Sequence, residues 1–168
     1  IKEHLDKEKR LRPQGIKVDG AGTVYIGDHG NQTIRRATPA GVVSTLAGTP
    51  GAFGYVNSAG SAARFWNPSG LAVSIDGTLF VSESGNQAIR KVTATGAVSV
   101  LAGGPLLTGN TNGTGTAARF NTPFAVAVDN DGNLYVADRE NHRIRKTTAA
   151  GVVSTLAGST FGFANGTG

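Results

Sequence analysis

The octapeptide GVVSTLAG occupies residues 41–48 and returns letter for letter at 151–158, with GAVSVLAG at 96–103 between the two. Successive copies lie 55 residues apart. A fixed period of this size marks a chain that stacks one structural unit, each too small to bury its apolar faces alone. In the same register Pro13, Pro68 and Pro123 align, as do Gly22, Gly77 and Gly132, and Tyr25, Phe80 and Tyr135. Asp28, Glu83 and Asp138 follow, then Asn31, Asn86 and Asn141, then Ile34, Ile89 and Ile144. Each of these Ile residues precedes a basic pair: Arg35-Arg36, Arg90-Lys91 and Arg145-Lys146.

Within a unit the pattern is that of strands. In the third, FAVAV (124–128) is a continuous apolar run, and NDGN (130–133) supplies an Asp-Gly turn into LYVAD (134–138). RENH then turns into RIRKTT (143–148), and AAG turns into VVSTLAG (152–158). Four short strands with tight connections predict an antiparallel meander. A first strand that is apolar on both faces fits a sheet sandwiched between two others. Four-stranded sheets repeated radially give a β-propeller. The expected fold class is therefore all-β, with three four-stranded antiparallel blades making half of a six-bladed ring. The opening octapeptide becomes the outermost strand of each blade, with Leu46 turned toward a neighbouring sheet.

The consensus of the three units, P-x-G-[IL]-x-V-D-x-x-G-x-[LV]-Y-[VI]-x-D-x-x-N-x-x-I-R-[RK], resembles the NHL repeat, down to Asn141-His142 in the third copy. The resemblance extends over residues 13–168. It implies a module that binds proteins, RNA or other ligands through one face of a disc, with a minority of relatives that are lyases. The chain divides into an arm or short helix at 1–12, blade 1 and its linker at 13–67, blade 2 and its linker at 68–122, and blade 3 with a truncated linker at 123–168. In the arm, Glu3/Lys7 and Asp6/Arg10 fall at the i,i+4 spacing of a helix.

Composition excludes several classes. The 168 residues are 39 % apolar, 7 % aromatic and 16 % charged, with 25 glycines, which points to many turns and few long helices. Cysteine is absent, so there is no disulfide framework, thiolate metal site or thiol nucleophile. No apolar run approaches the ~20 residues of a bilayer-crossing helix, and IKEHLDKEKR lacks the pattern of a signal peptide. The chain reads as soluble with no membrane partner. Its location stays open, extracellular or periplasmic if a signal peptide has been removed.

A net charge of +5 invites a nucleic-acid reading. Five of the 16 Lys and Arg lie in residues 1–12, however, and six more are the repeated pairs after Ile. Arg residues present in every unit are expected to pair with the equally repeated Asp28, Glu83 and Asp138, and Arg64 and Arg119 in the AARF segments are expected to be structural too. Only Lys17, Arg139 and Arg143 stand outside this pattern, without an aromatic platform for bases. Lys17 is the odd residue of the hub strand, where its counterparts are Ala72 and Ala127, and it is expected to find a charged partner or reach the central channel.

Catalytic and metal signals are weak. DNDGN (129–133) places its Gly too early for a calcium loop, and His4, His29 and His142 are scattered. No cofactor, catalytic residue or metal ligand is assigned. Instead the copies differ in two kinds of loop expected on one face of the disc. One is the turn between second and third strands, His29-Gly30, Ser84-Gly85 and Arg139-Glu140; the other is the linker, 49–66 and 104–121. Loops on a rigid scaffold are where function resides. His29, Ser84, Arg139, Glu140, Phe53, Tyr55, Trp66 and Lys17 are the ligand-face candidates. The expected function is a non-catalytic binding or scaffolding module, the alternatives being part of a propeller lyase or an RNA-binding NHL domain. Three blades leave two apolar sheet faces open, which predicts self-association into a closed six-bladed ring or further blades in a longer parent chain.

Overall fold

The computed structural model describes residues 11–159. The expected helical arm lies outside these residues apart from Leu11 and Arg12, as does the last linker beyond Ser159.

Three antiparallel meanders follow one another along the chain. The first comprises β1 (Pro13–Val18), β2 (Val24–Asp28), β3 (Thr33–Ala37) and β4 (Val43–Ala47), hydrogen-bonded in that order. The second comprises β5 (Pro68–Val73), β6 (Leu79–Glu83), β7 (Ala88–Val92) and β8 (Val98–Gly103). The third comprises β10 (Pro123–Val128), β11 (Leu134–Asp138), β12 (Arg143–Thr147) and β13 (Val152–Ala157). Pairing is equivalent in all three, with Lys17, Ala72 and Ala127 of the hub strands opposite Tyr25, Phe80 and Tyr135. The fold is an all-β array of propeller blades. It differs from expectation in one element. The two-residue β9 (Gly113–Thr114), from the second linker, pairs with the outer strand β13 and makes the third sheet five-stranded. Its counterpart in the preceding linker is a single bridge between Ala59 and Ala97. A linker that runs antiparallel past an open strand edge satisfies that edge wherever its own backbone is extended.

Blades stack through two apolar clusters. Tyr25, Ile34 and Leu46 of the first blade meet Leu71, Leu79, Val81 and Val98 of the second, with Phe65 of the linker between them. Phe80, Ile89 and Leu101 of the second meet Leu134, Val136 and Val153 of the third, around Phe120. Phe65 and Phe120 are completely buried, so each linker inserts one ring into the seam it spans. The octapeptide strands behave as expected at Leu46 and Leu101, both buried at a seam. At the hub, the Ser82 hydroxyl donates to the Phe124 carbonyl at 2.7 Å and accepts from the Gly70 amide at 2.8 Å, stitching neighbouring first strands together.

Close stacking fixes a glycine at the turn from third to fourth strand. Gly96 has φ +85° and its carbonyl accepts from the Gly60 amide at 3.0 Å. A β-carbon there would stand 2.4 Å from the Leu46 carbonyl oxygen of the first blade. Gly151 repeats this against Leu101 of the second blade at 2.6 Å. Both conformation and space therefore demand glycine. Among the described residues, no helix is long and apolar enough to cross a membrane.

Candidate functional site: the loop face

The turns between second and third strands and the two linkers emerge at the same end of the blades, as the strand order requires. Beneath them, the second and third blades each carry a buried ion pair. Arg90 Nη1 meets Glu83 Oε1 at 2.9 Å, and Arg145 Nη1 meets Asp138 Oδ2 at 2.9 Å, with all four side chains fully buried. The remaining valences tie down the linkers. Arg90 Nη2 donates to the Val56 carbonyl at 3.0 Å and to Asn57 Oδ1 at 2.8 Å. Arg145 Nη2 donates to the Thr111 carbonyl at 3.2 Å and to Asn112 Oδ1 at 2.8 Å. Asn86 and Asn141 each bond both the acid of their own blade and a linker carbonyl, Gly54 or Gly109. A buried guanidinium is tolerable only when its donors are taken up in this way.

The first blade departs from the expected pairing. Asp28 accepts from the Arg12 amide and from Asn31 Nδ2, both at 2.8 Å, and no Arg35–Asp28 ion pair occurs among the described residues. Arg35 lacks a described preceding linker of the kind that holds the guanidinium in the other two blades. Arg64 and Arg119 are structural as expected, donating to carbonyls of their own segments, Ala63 and Ala118, at 2.7 Å.

The candidate side chains fall into separate groups. Phe53 and Trp66 come together, with ring centroids 5.5 Å apart and planes inclined by 41°. Trp66 is half-buried over Gly85, where any β-carbon would lie 2.4 Å from the indole, while Phe53 remains 65 % exposed. Tyr55 serves the scaffold: the Arg90 guanidinium stacks over its ring at 4.6 Å, and burial pushes its hydroxyl up from the ordinary tyrosine range. Ser84 approaches Ser69 at 3.2 Å between hydroxyl oxygens. Arg139 and Glu140 are exposed and pair at 3.2 Å, with the Arg139 guanidinium 5.7 Å from the centre of the Phe124 ring. His29 is half-buried in the corresponding turn of the first blade.

Lys17 belongs to none of these groups. It lies exposed at the opposite end of its hub strand, lining a groove of about 500 Å³ with Asp19, Ile75 and Asn130 from the turns of all three blades. The expected charged partner is not found among the described residues. The acidic turns beside it are self-satisfied. Asp129 is held below the usual carboxylate range by Asn133, by backbone amides and by the Tyr135 hydroxyl, so its oxygens are engaged in shaping the turn. No three His, Cys, Asp or Glu side chains are grouped to share a metal ion among the described residues.

Sequence reasoning overlooked Leu106 and Leu107, exposed by 76 % and 52 % on the second linker. Leu106 has φ +63°, at the position where the first linker has Gly51 with φ +76°. Aligning the linkers would have revealed the exchange, but it is the backbone that makes it unusual. A branched side chain in the left-handed region costs roughly 1–2 kcal/mol.

The profile of the family described as NHL repeat matches residues 120–146, from the end of the second linker through the third blade's basic pair. NHL repeat-containing protein 2 of Bos taurus is 37 % identical to the chain over 120 residues, 59 % of this chain and 16 % of that protein. Residues 120–146 thus match an NHL repeat, and the first two blades repeat their register at intervals of 55 residues. Among solved structures, an auxiliary nutrient binding protein of Bacteroides thetaiotaomicron VPI-5482 superposes with a TM-score of 0.70 at 24 % identity, covering 83 % of this chain and 36 % of that one. Virginiamycin B lyase of Staphylococcus aureus superposes with a TM-score of 0.61 at 18 % identity, covering 88 % and 41 %. At such identities the likeness concerns the β-propeller fold. The chain thus spans well under half the length of each of the three proteins.

Proposed function

We propose that these NHL repeats form a non-catalytic binding module, and that its ligand is a protein surface received on the loop face. One observation carries the reading: the linkers display large apolar side chains that the scaffold does not need. Phe53 is held out from the face by its contact with Trp66, and Leu106 is displayed to solvent in a conformation that its sibling reaches with glycine. Exposed apolar groups on rigid supports are typical anchors of protein interfaces. The positive charge favours nucleic acid less than its total suggests, because Arg90 and Arg145 are enclosed and Arg64 and Arg119 are spent on carbonyls.

Leu106→Gly provides the test because it acts in opposite directions on stability and binding. Restoring the sibling residue should stabilise the fold by about 1 kcal/mol through relief of strain. Peptides selected by display against the native chain should bind this variant, or Phe53→Ser, at least about tenfold more weakly. Selected ligands that ignore both substitutions would overturn the reading, as would tight, salt-dependent binding of single-stranded RNA that neither substitution affects.

A further inference from the structure

Two residues break the repeat at the same place. Lys17 stands where the other hub strands have Ala72 and Ala127, and Ile75 stands where the other turns between first and second strands have Gly20 and Asn130. Both line the groove of about 500 Å³ at the end of the blades opposite the loop face, together with Val18, Asp19, Val73 and Asn130. Ile75 is 98 % exposed there and Val18 53 %. Val73 packs against the first apolar cluster, so the groove has a firm apolar floor. Turns of this kind are ordinarily built from Gly, Asn, Asp and Ser, and an isoleucine that touches almost nothing contributes no packing to the scaffold.

The polar groups of the groove divide into those already engaged and those left over. Asp19 Oδ1 accepts from the Ala21 and Thr23 amides, both at 2.9 Å, and Oδ2 accepts from the Tyr25 hydroxyl at 3.3 Å. The Thr23 amide foremost holds its carboxyl below the usual range, so Asp19 is charged while its oxygens serve the turn. Ser74 donates to Asp76 and to the Thr78 carbonyl. The Lys17 ammonium and the Asn130 amide remain, both exposed and neither with a partner among the described residues. A cation beside an apolar surface, left unpaired by its own fold, is complementary to an anion. Asp19, Asp76, Asp129 and Asp131, in the turns at the same end, restrict that anion to a single charge, because a second would face carboxylates with no cation of its own. No aromatic ring is found among the lining residues, so a nucleobase would lack its stacking platform.

We infer that this groove is a ligand site distinct from the loop face, and that it takes an aliphatic monocarboxylate. The carboxylate pairs with the Lys17 ammonium, with the Asn130 amide as a further donor, and the aliphatic body covers Ile75, Val73 and Val18. A groove of this volume suits a small molecule. Hydrocarbon laid over an exposed isoleucine removes apolar surface from water on both partners. Lys17 therefore selects the charge, and Ile75 selects the body. The site rests on none of the residues assigned to the loop face, so either reading can fail without the other.

Titration of the 168-residue chain with 4-methylpentanoate, followed by backbone amide chemical shifts, tests it. Saturable shifts should appear at residues 17–21 and 73–77, with a dissociation constant on the order of 1 mM. Three probes separate the contributions: 4-methylpentanamide keeps the body without the charge, acetate keeps the charge without the body, and succinate adds a second charge. Each should bind at least about fivefold more weakly. Lys17→Ala and Ile75→Gly both install the residue of a sibling blade, and each should weaken 4-methylpentanoate at least about fivefold. If Lys17→Ala unfolds on heating more readily than the native chain, Lys17→Gln retains the stem without the charge and should show the same loss, while Lys17→Arg should keep binding. An amide or a dicarboxylate that binds as tightly as 4-methylpentanoate would overturn the assignment. So would affinity indifferent to Lys17→Gln or to Ile75→Gly, shifts confined to the loop face, or no saturation at roughly tens of millimolar.

Discussion

Glu83 illustrates how much one buried carboxyl is asked to do. It faces Arg90, Asn86 and the Trp66 amide, so it joins its own blade to the linker that carries the exposed aromatic pair. Burial pushes its carboxyl up to about 7, although Arg90 acts in the opposite direction. A folded value above the unfolded one favours the native state most at pH below the unfolded value of about 4.5, and that advantage is lost as pH rises through about 7. Denaturant titrations between pH 5 and 8 should therefore show stability falling with pH, by up to the order of 3 kcal/mol. Glu83→Gln should flatten that slope and lower stability chiefly above pH 7, where Arg90 then lacks the countercharge that the ionised carboxylate supplies. The acid and the arginine were legible in sequence because both recur in register with Ile89. The linker's part was not. Val56 contributes a carbonyl, which no side-chain pattern records, and Tyr55 looks like a ligand anchor until its ring is found beneath the guanidinium.

Strands and turns were the most readable elements, since apolar runs punctuated by Asp-Gly and Gly define a meander without long-range information. β9 escaped notice because two residues, Gly113 and Thr114, carry no alternation, and the pairing depends on where the linker passes the third blade. Turn glycines look alike in sequence but differ in what surrounds them. Gly77 has φ +80° and open space where a β-carbon would stand, whereas Gly96 at φ +85° would meet the Leu46 carbonyl at 2.4 Å. Gly77→Ala should cost about 1 kcal/mol, the conformational penalty alone. Gly96→Ala should cost at least about 2 kcal/mol more, because it forces the first two blades apart and loosens the packing of Leu46. Thermal unfolding of the two variants side by side checks the difference.

Three repeats in one register made the order of the whole array legible. What the sequence could not convey was how the linkers are fastened. The linker from Thr49 to Asn67 is bonded backward to the first blade, where Gly51 donates to the Asn31 carbonyl and Gln32 accepts from the Asn67 amide at 2.6 Å. It is bonded forward to the second through Arg90 and Asn86. The second linker repeats the arrangement through Gln87 and Thr122 behind it and Arg145 and Asn141 ahead.

Fastening of this kind governs how the molecule yields to force. A strap anchored on both sides of a seam carries load in parallel with the apolar contacts, so tension on the chain ends meets one barrier per repeat and no soft hinge between blades. Pulling with optical tweezers should release the protein in discrete extensions that cluster near one repeat of 55 residues, about 19 nm of contour at roughly 3.5 Å per residue. Asn57→Ala, which removes one of the forward bonds of the first strap and leaves those to the Val56 and Gly54 carbonyls, should lower the force of one such step and leave its length unchanged. A trace in which the array lengthens smoothly at low force would mean that the straps bear no load.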